Sequence, residues 1–238
     1  MRKKFIDKIR DDLKRAYEAI AEEFDQSRKT QWNEFEYFKK YITNNAKILD
    51  LGCGNGRLFD VLNEKKVDYI GIDASSSIID KARINYPNAE FKLGDMANLD
   101  FPDENFDAVF AVASFHHIPD KKLRNHVLSE VNRVLKPKGI FIVMVWNLFQ
   151  WKYIKAFISS ILSFIIHFGF KYSWNDLWIK WGDYPIRRYY HAFLPSELSS
   201  YFKNNKWKIE EFYFVKKGTR VKFWQCFNIC LIARKAKS

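Results

Sequence analysis

Apolar positions near the start of the chain recur at helical spacing. Phe5, Ile6, Ile9, Leu13, Ala16, Tyr17, Ile20, Ala21 and Phe24 fall on one face, with Lys, Arg, Asp and Glu on the other, which predicts an amphipathic helix over residues 5–24. The polar stretch Asp25-Gln-Ser-Arg-Lys-Thr30 interrupts the pattern, and Trp32, Phe35, Phe38 and Tyr41 resume it. From Lys47 the period changes. Short apolar runs at Lys47–Leu51, Asp68–Asp73, Glu90–Leu93, Phe106–Ala113 and Ile140–Trp146 read as strands, separated by helical patterns at Arg57–Asn63, Ser75–Tyr86 and Lys121–Val134. Strands alternating with helices predict an α/β fold with a doubly wound, mostly parallel sheet, whose ligands sit at the carboxyl ends of the strands. Pro195 opens a further helix to Asn204, with Ser196 or its neighbour as cap. Two β-rich runs, Trp207–Val215 and Lys222–Ala233, then predict an antiparallel hairpin that finishes the sheet.

Candidate chemistry gathers at the first strand–helix junction, Asp50-Leu-Gly-Cys-Gly-Asn-Gly56. Glycines let a backbone approach a ligand closely there. A dinucleotide fold would read G-x-G-x-x-G around a pyrophosphate; Gly52, Gly54 and Gly56 form a tighter turn, preceded by an acid that repels phosphate and suits an ammonium. Asp73 ends the second strand, where a ribose-binding carboxylate falls. Asp95 beside Met96 suits an adenine amino group and ring face. A cationic nucleoside bearing an amino acid fits all three acids, which describes S-adenosylmethionine.

At these residues the chain resembles the class I S-adenosylmethionine-dependent methyltransferases, over roughly Lys47 to Val145. The matching pieces are Ile48-Leu-Asp-Leu-Gly-Cys-Gly-Asn-Gly56, Gly71-Ile-Asp73, Gly94-Asp95, Phe106-Asp107-Ala-Val109 and Leu135-Lys-Pro-Lys-Gly139. The resemblance implies a Rossmann-like sheet and a cofactor set of Asp50, Gly52, Cys53, Gly54, Asn55, Gly56, Asp73, Ala74, Asp95, Met96, Ala111 and Ser114. The expected division is capping helices at 1–45, a cofactor-binding core at 46–150, a helical, aromatic and basic insertion after the fifth strand at 151–195, and a C-terminal helix and hairpin at 196–238.

Charge changes the picture of the C-terminal part. Residues 1–150 carry 24 Lys and Arg against 23 Asp and Glu, whereas residues 151–238 carry 16 against 5. That surplus points to a polyanion, either a nucleic acid or an anionic membrane face. Trp174-Asn-Asp-Leu-Trp-Ile-Lys-Trp181 and Pro185-Ile-Arg-Arg-Tyr-Tyr-His-Ala-Phe193 interleave aromatics with cations, a pattern suited to stacked bases and phosphates. Residues 156–170 are free of charge but shorter than a membrane span requires. A lid, a buried helix and a helix on a membrane surface all stay open for them, since Lys152, Lys155 and Lys171 flank the run. Three cysteines without partners at zinc spacing, and no secretory signal, suggest a reducing cytoplasm and no metal.

The flanks narrow the methyl acceptor. Tyr17-x-x-Ile-Ala-x-x-Phe24-x-x-x-Arg28-x-x-x-Trp32, Ser114-Phe-His-His117, Val145-Trp146-x-x-x-Gln150 and Arg188-Tyr-Tyr-His191 are similar to the tRNA wobble-uridine carboxymethyl methyltransferases, which esterify a 5-carboxymethyl group in the anticodon loop. The resemblance implies tRNA as partner; eukaryotic members also use a small zinc-binding partner protein. A carboxylate acceptor is already ionised at neutral pH, because carboxyl groups titrate near ~4, so no general base is required. Arg28 and Arg188 would hold its charge, with His116 and His117 at the mouth of the fourth strand and Tyr189 or His191 for orientation. Each histidine reads equally well as a donor that packs its loop, and Arg28 as a solvated charge. The apolar insertion departs from the polar, basic one expected of that family. It leaves open a small or lipophilic acceptor, such as a quinone precursor or fatty acid, and beyond the enzymes a non-catalytic cofactor- or RNA-binding protein.

Overall fold

The computed structural model describes residues 2–30, 32–167, 173–182, 184, 186–205 and 207–236; residues 168–170 of the charge-free run, Lys171 and Pro185, used above, lie outside them. Helices α1 (Arg2–Ala19), α2 (Ala21–Gln26) and the single turn α3 (Glu36–Lys39) precede β1 (Lys47–Leu51), α4 (Arg57–Leu62), β2 (Asp68–Asp73) and α5 (Ser76–Asn85). The chain continues through β3 (Glu90–Leu93), β4 (Phe106–Val112), α6 (Lys121–Val134) and β5 (Leu135–Trp146). Then come α7 (Ile154–Ile166), β6 (Asp176–Lys180), β7 (Arg187–His191), α8 (Pro195–Asn204), β8 (Lys208–Lys216), the short β9 (Thr219–Arg220) and β10 (Asn228–Arg234).

The main sheet runs β3-β2-β1-β4-β5-β10-β8-β9. Its first five strands are parallel, and β10 lies antiparallel between β5 and β8, so the predicted hairpin closes the sheet. The order reverses between β1 and β4. There the helices after the two strands leave toward opposite faces, and a crevice opens above the strand ends. Both faces are covered, which explains why the central strands are apolar on both sides. Leu49, Leu51, Val109 and Ala111 pack with Val127 and Val131 of α6 and Leu198 and Phe202 of α8. Ile48, Ala108 and Phe110 pack with Phe35, Phe38, Leu58, Val61 and Ile79 on the other face.

The departures from expectation lie in the flanks. The helix predicted over residues 5–24 breaks at Ile20, where φ −112° and ψ 15° leave the helical region. The break turns α2 so that buried Asp25 accepts from Asn55 Nδ2 at 2.9 Å and Asn85 Nδ2 at 2.7 Å. Trp32 to Tyr41 forms a 3-10 turn (Asn33–Phe35) and α3 rather than one helix. Leu194, not Ser196, precedes α8, with Pro195 in the first turn and no side-chain cap. The insertion holds an antiparallel pair, β6 and β7, besides its helix, and β7 packs against α1. No described helix is long and apolar enough to cross a membrane.

The glycine turn is held tightly. Gly52 N and Cys53 N both donate to the Ile72 carbonyl, at 2.8 and 3.0 Å. Gly52 has φ +71°, and a Cβ there would stand 2.5 Å from Ser114 Cβ. Gly52→Ala should therefore lower folding stability by about 2 kcal/mol or more, read as a lower urea midpoint; an unshifted midpoint would mean the turn is looser than drawn here.

Candidate active site

Above the β1–β4 reversal lies a cavity of about 420 Å³, within the size range of small-molecule sites. The turn after β1, the ends of β2 and β4, the loop after β3, and α1 and α2 all contribute to its lining. Acids crowd one end. Asp50, 2% exposed, accepts from Tyr69 Oη at 2.6 Å through Oδ2, while its Oδ1 is buried without any partner. Burial pushes this carboxyl up to about 7, the nearby Asp73 charge adding to the effect against the Tyr69 bond. A buried carboxylate oxygen that lacks a donor fits a ligand ammonium. Asp73 accepts from Gly54 N at 3.2 Å and Ser75 N at 3.0 Å, and burial raises it too. Asp95 accepts from Ala97 N at 2.9 Å, and Arg10 of α1 pairs with its other oxygen, so a ligand amino group there would share a lone pair or displace Arg10.

Cations and aromatics line or back the same cavity. Arg28 and Arg57 line the cavity. The Arg28 guanidinium lies 5.0 Å from the centroid of the Trp181 ring, and Arg188 lies 4.3 Å from the same ring. Arg57 lies over Trp32 at 3.8 Å. Among the described residues no carboxylate forms an ion pair with any of the three, and Arg188, 2% exposed, has its Nε buried without a partner. Burial and then the Arg28 charge lower the Arg57 guanidinium to about 9, and burial lowers Arg28 as well.

One directed hydrogen-bond chain fixes this corner. His117 Nδ1 faces the Tyr189 carbonyl at 2.7 Å and must donate to it, which leaves the Nε2 lone pair to accept from Tyr17 Oη at 2.8 Å. The Tyr17 oxygen in turn accepts from Arg188 Nη1 at 3.0 Å. Burial holds His117 down to about 3, so its ring is neutral and its free nitrogen is already engaged.

Comparison with known proteins now bears on what the cavity holds. Residues 48–139, from β1 to the start of β5, match the family model described as a methyltransferase domain. Residues 48–139 are thus a methyltransferase domain. It is 32% identical over 136 residues to the tRNA (carboxymethyluridine(34)-5-O)-methyltransferase of Arabidopsis thaliana, a match covering 56% of this chain and 32% of that one. It is also 32% identical over 139 residues to the demethylmenaquinone methyltransferase of Thermotoga maritima, covering 55% and 59%. The chain thus covers less than two thirds of either relative. A SAM-dependent methyltransferase from Methanosarcina mazei superposes with a TM-score of 0.71 at 23% identity over 85% of this chain and 98% of its own. The methyltransferase in a Haloferax volcanii complex with the Trm112 methyltransferase activator does so at 0.67 and 16%, over 95% and 98%. At these identities the superpositions speak to the fold.

Within the methyltransferase domain, the structure brings Asp50, Gly52, Cys53, Gly54, Asn55, Asp73, Ala74, Asp95, Met96 and Ser114 to the cavity wall. Asn55 spends its amide on Asp25, tying the turn to the cap. Burial raises the Cys53 thiol well above its usual value, so it is an inert wall. Two expected residues are elsewhere. Ala111 points into the core, because strand alternation hands the wall to Val112, and Ala113 follows it there. Gly56 opens α4 at φ +85°, where a Cβ would strike Phe91 at 2.7 Å; it serves packing.

The acceptor set divides likewise. His117, Arg28 and, behind Tyr17, Arg188 meet at the cavity. His116 does not: it is fully buried, accepts from Trp146 N at 3.2 Å and is held neutral by burial. Tyr189 and His191 point away into a buried cluster, Tyr189 Oη donating to Asp176 at 2.6 Å, and the His191 nitrogens lying 2.7 Å from Asp176 and Glu197. Tyr189 contributes only its carbonyl. The sequence reading missed Arg57, whose signal was its place directly after Gly56, since side chains opening a helix lean back toward its N-terminus. It also missed Tyr17 as the hub and Arg10. Among the described residues no cluster of metal-binding side chains occurs.

A cationic ligand amine at Asp50 would favour the charged carboxylate and draw its titration below the free value of about 7. Binding then releases a proton, so affinity for S-adenosylhomocysteine should rise with pH through about 7 and level off above it. Calorimetry in buffers of different ionisation enthalpy reads that proton directly, and Asp50→Asn should abolish its release; a flat profile would remove Asp50 from the amine site.

Proposed function

We propose that this chain transfers a methyl group from S-adenosylmethionine to the carboxylate of a 5-carboxymethyl uridine in the anticodon loop of tRNA. One observation carries the reading: three guanidinium groups, Arg28 and Arg57 on the cavity wall and Arg188 behind Tyr17, form no ion pair with a carboxylate among the described residues. A buried cation costs several kcal/mol unless an anion joins it, and an anionic acceptor supplies one. The Arabidopsis thaliana relative is named for that acceptor, which supports the choice.

When bound, the cofactor supplies a methyl group activated on a positive sulfur. Asp50, Asp73 and the turn backbone would hold it, and Asp95 with Met96 would meet its base. The chain's part in the transfer is alignment and electrostatics. Arg28 and Arg57 would grip the acceptor carboxylate, and Tyr17, its hydroxyl aimed by His117 and Arg188, would keep both in register. No side chain need remove a proton, in keeping with a neutral His117 whose lone pair is occupied. In this reading residues 1–45 and 151–195 form the acceptor side, residues 46–150 hold the cofactor and residues 196–238 complete the sheet. Exposed Arg187, Lys216 and Lys217 would track phosphates; Arg188, in the same aromatic and basic run, is buried and would serve the acceptor carboxylate, as expected of it from the sequence. The Haloferax volcanii neighbour suggests a small activating partner, and a cytoplasmic site of action goes with the substrate.

A lipophilic acceptor is the second reading, favoured by the outward-facing isoleucines of α7 and by the demethylmenaquinone methyltransferase among the relatives. Tritiated-methyl transfer to bulk tRNA, set beside lipid extracts, separates the two. An alkali-labile methyl ester on uridine is expected, and label confined to lipid would overturn the tRNA reading. Arg57→Ala and Arg188→Met should each cut tRNA methylation roughly 30-fold or more while leaving S-adenosylhomocysteine affinity within about threefold.

A further inference from the structure

Helix α7 is reversed relative to an ordinary surface helix. Toward the protein it turns Phe157 and Ser160, the serine hydroxyl donating to the Ser173 carbonyl at 3.3 Å. Toward water it turns Ile154, Ile158, Ile161, Leu162 and Ile165, each between 41% and 60% exposed. Their spacing makes one continuous stripe. Just before the helix Trp151 is 86% exposed, and Lys152 and Lys155 project at the same end. Trp224, 71% exposed, and Lys222 stand nearby, since Phe223 packs on Phe149 and Phe149 packs on Phe157 of α7. From residue 131 to residue 175 the sequence holds no Asp or Glu.

We propose that α7 lies along the surface of an anionic bilayer, its isoleucine stripe in the acyl boundary, Trp151 and Trp224 at the headgroups and the lysines on the phosphates. Its thirteen residues run about 20 Å at 1.5 Å each, short of a bilayer core. A second copy is a poor occupant, because it would set one +12 chain and its lysines against another. A folded protein partner needs polar groups to fix its register, and the stripe offers none; fluid acyl chains need no register. The surface is independent of which acceptor is methylated.

Flotation of the whole chain with vesicles of phosphatidylcholine, alone or mixed with phosphatidylglycerol, tests the assignment. The chain should float with the anionic vesicles, weakly with the neutral ones, and lose binding as salt rises. Paired substitution of Ile158→Glu and Ile165→Glu should lower partitioning at least about tenfold, and of Lys152→Glu and Lys155→Glu should remove the preference for anionic lipid. Both pairs face outward, and unchanged S-adenosylhomocysteine affinity would show that they fold. Failure to float, flotation indifferent to the isoleucine pair, or sedimentation showing a stripe-dependent dimer or a bound protein instead would overturn the proposal.

Discussion

A guanidinium taken out of water must meet negative charge or accept a large desolvation cost. Arg188 is in that position: buried beneath Trp181, bonded among the described residues to the Tyr17 hydroxyl alone, with one nitrogen unmatched there. Because arginine can only donate and His117 Nδ1 must donate to the Tyr189 carbonyl, every bond between them has a forced direction. That chain of donors ties α1, the loop after β4 and β7 into one rigid corner. Around it the capping helices, the insertion hairpin and the main sheet take their relative places.

The cavity wall carries both signs of charge. Carboxylates come from the ends of β1 and β2 and the loop after β3, arginines from α1, the α2 loop and α4, and Arg188 of β7 stands behind Tyr17. Inside a protein such charges act through a low dielectric and are preorganised. On the proposed reading, a cationic nucleoside would meet the carboxylates and an anionic acceptor the arginines. Burial, with the Asp73 charge beside it, raises Asp50, and among the described residues no carboxylate forms an ion pair with Arg28, Arg57 or Arg188.

The central sheet was legible because its local signals agree: strand period, glycine turn and acids at strand ends all specify one topology. Most of the residues expected at the cofactor line the cavity, Ala111 excepted, where a one-residue choice along a strand swaps wall for core. Gly56 was misread because its glycine answers to the Phe91 ring, a partner 35 positions away along the chain. The acceptor corner was only half legible. His116 and His117 are neighbours of the same chemistry, and only tertiary packing sends one ring into the core and leaves the other on the cavity. Similarly, Arg-Tyr-Tyr-His looks like an exposed binding run until β7 is seen to be buried against α1. Charge without a partner cannot be read from a linear sequence at all.

Every side chain on the cavity wall precedes residue 147, whereas Arg188 bonds to a tyrosine 171 positions earlier, and β10 and β8 come last of all. Synthesis from the N-terminus therefore imposes an order on the emerging polypeptide. The cavity wall leaves the ribosome first, and Arg188, one of the two groups bonded to the Tyr17 hydroxyl, arrives only afterwards. The wall side chains are all made before the residue that completes the hydrogen-bond chain at Tyr17, and before the last strands that close the core beneath them.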